Sequence, residues 1–405
     1  MNDRKTLTFI SPRFLFPTDS GGKIRTTQIL RGLKGGAFDI KLVMPSTQDE
    51  RTKFGDQIET VCDQHVTWVP NRQRKLLHLL KKFAWLLHRF PIPVQSDWDK
   101  GGARVVQQVL DEGTDLVVVD FPHSAVLAPD SFAAPSLMFT HNIEAEIFHR
   151  HWQVARFPLH KMIWRNQYRK MYRFEKAVLS RFDSVVAVSD RDRDFFCDDY
   201  GIRNCQVIPT GVDTDFFSYQ QPLNSSQVVF CGSMDWMANI DGVEYFFDNV
   251  WSLIKDKVPN ARMKVVGRAP PESLVRKISS SAPEWEFTGF VDDVRDHISG
   301  SAAFVIPLRV GGGTRIKAFE AMAMGAPVVS TSIGIEGLPV EHGEHLLVAD
   351  DDAAFAENVV ALLTDDQMRM AISRSARRSV EEEYGFRIAA RVFERICLET
   401  VGLKQ

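Results

Sequence analysis

The stretch AAFVIPLRVGGGTRIKAFEAMAMGAPVVS, Ala302 to Ser330, decides how the rest of the chain is read. Ala303 to Leu308 is an apolar run with the length and punctuation of a buried strand. Gly311, Gly312 and Gly313 interrupt the pattern, and Thr314 is placed to cap a helix beginning at Arg315. Gly325, with Pro327 beyond it, marks the end of that helix before a second apolar strand opens at Val328. Strand, glycine loop, helix and strand make one α/β unit.

A helix start presents unpaired backbone N–H groups, and glycines without Cβ atoms let a bulky anion come close to them. Arg315 and Lys317 add cations to the same first turn, at the positive end of the helix dipole, where they cost free energy unless an anion offsets them. Lys317 and Glu320 are three apart and share a face, while Ile316, Phe319 and Ala323 form an apolar one. A carboxylate below a phosphate seat can accept hydrogen bonds from a ribose diol. On these residues alone a second reading stays open, an ordinary βαβ crossover carrying a solvated Lys/Glu pair.

Outward from this stretch, 405 residues suffice for two α/β domains, and 44% hydrophobic with 25% charged residues is an ordinary globular composition. The start, MNDRKTLTFISPRF, lacks a signal-peptide pattern, and no apolar run reaches 18 residues, so no membrane span is expected. Five scattered cysteines without CxxC spacing fit reduced structural thiols and a cytoplasmic location. Residues 1–205 hold 30 Lys and Arg against 24 Asp and Glu, whereas residues 206–405 hold 19 against 28. A basic first half points to an anionic surface, and no nucleic acid is expected among the partners.

In chain order, Thr6–Ser11 reads as a strand, followed by the pair Gly21-Gly22 and a helical stretch from Lys23 to Lys34. PTDSGGKIR departs from a dinucleotide fingerprint, so a second anion seat competes here with a tight turn bearing exposed cations. Short β-rich runs at 38–44, 65–69, 115–120, 136–140 and 184–188 alternate with helical patterns, as in a parallel sheet. His141 follows one of these strands directly. It is placed to donate a hydrogen bond to a ligand hydroxyl or phosphate while its other nitrogen is held, or else to serve as a satisfied core histidine. His149 and His151 are two apart on a helix and face different ways, which argues against a metal. The tracts Leu76–Phe90 and Trp152–Lys176 are amphipathic, the second strongly basic. Each is read either as packed on the core or as resting on an anionic membrane.

The polar, proline-bearing stretch 218–227 reads as a linker, and the boundary is set at 212. The second half repeats the alternation, with strands expected at 228–231, 263–266 and 285–288 around a helical tract from Ile240 to Ile254.

The motifs GGGTRIKAFEAMAMG, IPTGVD (208–213) and HN (141–142) resemble those of glycosyltransferase family 4, the retaining enzymes of the GT-B class. The resemblance implies an α/β fold of two Rossmann-like parallel-sheet domains facing across a cleft, with a C-terminal helix crossing back. It divides the chain into an acceptor-side domain (1–212), a nucleotide-sugar-binding domain (213–380) and a returning helix (381–405). It implies a metal-independent hexosyltransferase moving a sugar from a nucleotide-diphospho-sugar to a hydroxyl of a glycan or lipid-linked acceptor, in polysaccharide or glycolipid biosynthesis. The enzyme would be cytoplasmic, with peripheral attachment to the inner face of a membrane as an option. No cofactor is implied, the nucleotide sugar being a substrate. By the same resemblance, His141, Lys317 and Arg315 are the catalytic group. Gly21, Gly22, Gly211, Gly232, Asp235, Asn239, Arg268, Phe290, Val291, Gly312, Gly313, Thr314 and Glu320 line the donor site, and Lys23 and Arg25 are acceptor or phosphate contacts.

Two departures mark a variant. FCGSMDWMAN lacks the family's Arg and Lys after Gly232, and Gly312 stands where the first of the family's paired glutamates falls. A nucleotide-sugar 2-epimerase and a catalytically silent sugar-nucleotide-binding relative are the competing readings.

Overall fold

The computed structural model describes residues 4–70, 88–155, 157–223, 226–310 and 316–403. The chain forms two compact units. Unit 1 comprises Met1–Pro209 with Phe386–Gln405, and unit 2 comprises Thr210–Gly385. The sequence-based boundaries stand at 212/213 and 380/381.

Unit 1 is built on β1 (Lys5–Ile10), β2 (Phe38–Pro45), β3 (Gln64–Trp68), β4 (Leu116–Asp120), β5 (Ser136–Phe139), β6 (Ser184–Ala187) and β7 (Cys205–Val207). All pair in parallel, in the order β3-β2-β1-β4-β5-β6-β7. Strands covered on both faces read as unbroken apolar runs, and LVVVD of β4 is such a run. Val118 joins the core on one face with Leu7, Phe9 and Phe139, while Val117 and Val119 join Ile10, Val43 and Met138 on the other. The helix Phe386–Gly402 completes the first of these cores with Ala389, Ala390, Phe393, Ile396, Cys397 and Val401.

Unit 2 repeats the plan with β8 (Gln227–Cys231), β9 (Arg262–Val266), β10 (Trp285–Gly289), β11 (Ala303–Ile306), β12 (Val328–Ser330) and β13 (Leu347–Val348). They are ordered β10-β9-β8-β11-β12-β13 and again all parallel. The helix Ile316–Ala323 lies between β11 and β12, with Ala318, Phe319, Ala321, Met322 and Ala323 in the core and Lys317 and Glu320 on the half-buried side.

Each sheet changes winding direction once, between β1 and β4 and between β8 and β11. In open α/β sheets that reversal, at the carboxyl ends of the strands, is where ligands sit.

Several local expectations change. The first helix spans Gly21–Leu33, so the glycine pair forms its first turn instead of a loop before it. The basic tract is two helices, Glu144–Val154 and Pro158–Leu179, because Pro158 can begin a helix but not continue one. The 240–254 tract is helix Met237–Tyr245, a π-turn Phe246–Val250 and helix Trp251–Lys257. The stretch expected as a linker instead runs along unit 2, where Gln220 N donates to Met324 O and Leu223 N to Gly300 O. Most of the tract Leu76–Phe90 lies outside the described residues, as do Gly311 to Arg315. No helix among the described residues is long and apolar enough to cross a membrane.

Candidate active site

In unit 2 the turns after β8, β9 and β11 converge at the point of reversal. Lys317 Nζ, from the first turn of Ile316–Ala323, donates to Asn239 Oδ1 at 3.1 Å and to Cys231 O at 3.4 Å. It also lies 4.6 Å over the Phe230 ring. Asn239 Nδ2 donates to Ser233 O at 2.8 Å, so Asn239 links the lysine to the turn after β8. Gly232 in that turn and Gly267 after β9 have no room for a side chain. A Cβ on Gly232 would meet Asn239 Nδ2 at 2.7 Å, and one on Gly267 would come within 1.9 Å of Gly232 O. The turns are further tied by Gly232 N donating to Val266 O and Met234 N to Arg268 O, both at 2.9 Å.

Arg268, from the β9 turn, sets a cation beside the β8 turn. Its Nε donates to Ser233 Oγ at 2.9 Å and stands 3.5 Å from Asp235 Oδ2, and Ser233 Oγ donates to Asp235 Oδ1 at 2.7 Å. Asp235 is thus a counter-ion of Arg268 in this arrangement. The non-glycine Ala269 follows at φ +53°, a costly backbone conformation of the kind that collects at ligand-binding turns.

Glu320 is the site's chemically unresolved group. Its Oε1 is buried and has no hydrogen-bond partner among the described residues. Burial pushes its carboxyl up to about 7, with Lys317 pulling the other way. Burial and the Glu320 charge together push the Cys231 thiol up to about 12, which leaves that cysteine unreactive.

Lys317, Asn239, Gly232, Asp235 and Arg268 therefore form one run of contacts, with Glu320 alongside. Phe290 and Val291 leave the edge strand β10, two strands away from β8, outside that run. Phe290 is 68% exposed and Val291 packs on the core. Gly211 is buried in the strip Thr210–Val212, whose Val212 N donates to Tyr384 O. Gly312, Gly313, Thr314 and Arg315 lie outside the described residues.

Unit 1 builds its own constellation at the reversal between β1 and β4. His141, just past β5 and 3% exposed, has Nε2 2.6 Å from Asp120 Oδ1, and Thr26 Oγ1 donates to Asp120 Oδ2 at 3.0 Å. Burial lowers the His141 pKa, more than the Asp120 charge and hydrogen bond raise it. The neutral ring donates Nε2–H to the carboxylate, which leaves Nδ1 as an acceptor, buried and without a partner among the described residues. With Nε2 held by Asp120, the other ring nitrogen is an acceptor, where the sequence reading expected a donor. Phe121, at φ +67°, stacks on His141 with centroids 4.0 Å apart. A Cβ on Gly22 would come within 2.5 Å of that ring. Gly22 is thus required by an aromatic neighbour in its own unit. Lys23 Nζ pairs with Asp19 at 3.1 Å. His149 packs tilted against Tyr168, and His151 stacks on Trp164.

Sequence reasoning missed Asp120, Phe121 and Ser233. An acid closing the apolar run LVVVD was the available signal for Asp120. Phe121 had none, since only the folded backbone shows its φ.

With this geometry in place, the relatives fall into line. Residues 20–216 match the model described as Glycosyltransferase Family 4, and residues 225–365 the one described as Glycosyl transferases group 1. A Klebsiella pneumoniae protein described as an uncharacterized 44.6 kDa protein in the cps region is 22% identical, over 91% of this chain and 94% of its own. A phosphatidyl-myo-inositol mannosyltransferase of Mycobacterium leprae is 30% identical, over 45% of this chain and 50% of its own. Among solved structures, Anabaena HepE in complex with UDP and glucose aligns at TM-score 0.67 and 15% identity, over 97% of this chain and 99% of that one. The chain belongs to the GT-B glycosyltransferases.

Proposed function

We propose that this transferase moves a hexose from a nucleotide-diphospho-sugar to an acceptor hydroxyl with retention of configuration and without a metal, in polysaccharide or glycolipid biosynthesis. The observation that carries the reading is the pairing, at the reversal of the unit 2 sheet, of a cation on a helix start with a buried carboxylate whose Oε1 has no partner among the described residues. Lys317, with Arg315 from the GGGTRIK variant of the donor motif, would offset charge on the leaving diphosphate. Glu320 would take the ribose diol, and Arg268 would supply the cation missing after Gly232. His141 Nδ1 would accept from a sugar hydroxyl. In the family's usual proposal, the leaving diphosphate takes the acceptor proton as the hydroxyl attacks from the same face. The protein's part is then positioning and charge stabilisation. Unit 2 would serve the donor and unit 1 the acceptor. Support comes from the two family matches and from the named substrates of the relatives. Neither the epimerase nor the silent-relative reading is favoured by them.

Calorimetry with UDP-glucose and GDP-mannose tests the assignment. Lys317→Ala and Glu320→Gln each remove a hydrogen bond to a charged group, worth about 1.5–3 kcal/mol. Each should therefore weaken the donor that binds by roughly 10- to 100-fold. Parent-like affinity in both variants would remove the site. Retention is read from the anomeric signal of the product, and metal independence from an unchanged rate in EDTA.

A second element of the proposal concerns location, at the inner face of an anionic membrane. Val154, Phe157, Leu159 and Met162 are exposed around the junction of the helices Glu144–Val154 and Pro158–Leu179. Pro158–Leu179 also carries Lys161, Arg165, Arg169, Lys170 and Arg173. Apolar tips flanked by cations bind anionic headgroups. Sedimentation with vesicles rich in anionic lipid should pull down the parent at low salt and less at moderate salt. A Phe157→Ser/Leu159→Ser double variant should stay in the supernatant, and failure of the parent to bind at either salt would remove this element.

A further inference from the structure

Arg25 lies one turn into the helix Gly21–Leu33, is 4% exposed, and has no hydrogen-bond partner among the described residues for Nε or Nη2. Those two nitrogens share one edge of the guanidinium, the side-on fork that matches a carboxylate or phosphate. The carboxylates whose charge it feels have other partners. Asp120 is held by His141 and Thr26, and Asp192 lies against Arg191. Burial lowers the Arg25 pKa to about 10, so it keeps its charge at neutral pH. A buried cation without hydrogen bonds is costly, and an apolar side chain would fill the same place more stably.

Two neighbouring features point the same way. The helix start is open, because Ser20 makes no side-chain cap and the first turn holds no acid. His141 Nδ1, close enough for its ring to feel the Arg25 charge, is a second buried group without a partner. A donor fork beside a lone acceptor suits a ligand bearing an oxyanion and an adjacent hydroxyl. With Asp120 and Asp192 nearby, a bare charge gains little, so the fork favours a group that hydrogen-bonds to it. The Phe121 ring, at φ +67°, stacks on His141 with centroids 4.0 Å apart.

We infer that Arg25 and His141 form an oxyanion-reading site within unit 1, which selects an acceptor carrying a carboxylate or phosphate beside a hydroxyl. The inference rests on the transferase reading above.

Thermal unfolding tests it on the full chain, with inorganic phosphate, glycerol 3-phosphate, methyl glucuronide and neutral methyl glucoside as probes, against chloride at matched ionic strength. In the parent, Tm should rise with phosphate and with one of the two organic anions, but not with methyl glucoside. The organic anion that works distinguishes a phosphate from a carboxylate source. Arg25→Gln should lose the rise while its own Tm stays at or above the parent's, because a buried unpaired charge is gone. Arg25→Lys, which keeps charge but not the fork, should retain less than half of the rise. Absence of any anion response in the parent, or an equal response in Arg25→Gln, overturns the inference. UDP-glucose and GDP-mannose are run in parallel. If neither shifts the parent, the transferase reading fails. If one does while the anions do not, only the present inference fails. Loss of the donor shift in Arg25→Gln would assign the fork to the donor diphosphate and overturn it as well.

Discussion

In the proposed site, Glu320 would couple stability to donor binding through one proton. Its folded pKa of about 7 stands above the ordinary 4.5, so between those values the native state holds a proton that the unfolded state has released. Stability from this group is therefore fully present below about pH 4.5 and falls as pH rises to 7, by on the order of 3 kcal/mol. Glu320→Gln should match the parent in urea at pH 4.5 and exceed it at pH 8. An ionised carboxylate accepts from both hydroxyls of a diol, and a neutral one does so poorly. Donor affinity in the parent should thus weaken from pH 8 to pH 6, while the Gln variant shows a flat, weaker profile. A parent profile as flat as the variant's would separate Glu320 from the donor.

At the scale of elements, the β8 and β9 turns are placed by close backbone approach. Gly267→Ala puts a methyl group against Gly232 O, so the turns must separate. The cost should be about 3 kcal/mol in urea unfolding. Donor binding should fall further than stability alone explains, because Asn239, Ser233 and Arg268 are aligned by the same turns. Much of this was legible beforehand: the strand–glycine–helix grammar of 303–330 locates Lys317 and Glu320, and Gly232 was singled out. The contact between Gly232 and Gly267 was not, because it joins residues 35 apart whose neighbourhood is set by parallel pairing of β8 with β9.

For the whole molecule, the division into units predicts unequal fates for fragments. Unit 2, Thr210–Gly385, is continuous in sequence, whereas unit 1 takes its last helix from the chain's end. Phe386, Phe393, Ile396 and Val401 are buried there. At about 1.5–3 kcal/mol for each large side chain, their loss rivals the ~5–15 kcal/mol that holds a typical domain together. Residues 210–385 expressed alone should show cooperative unfolding, and residues 1–209 should not unless a 386–405 peptide is supplied. A cooperatively folded 1–209 fragment would show that the helix is dispensable.

The sequence by itself determined the alternation of strands and helices, the two-fold repetition of that plan and the places of His141, Lys317 and Glu320. Periodicity, glycine punctuation and strand-end position are local properties, written within a few dozen residues. Only the tertiary structure decided that His141 is held by Asp120 and offers an acceptor, that Arg268 hydrogen-bonds to the turn after β8, and that Arg25 has a fork with no partner among the described residues. Those facts depend on burial and on partners brought from distant strands, and a charge's environment exists only once the sheets have closed around it.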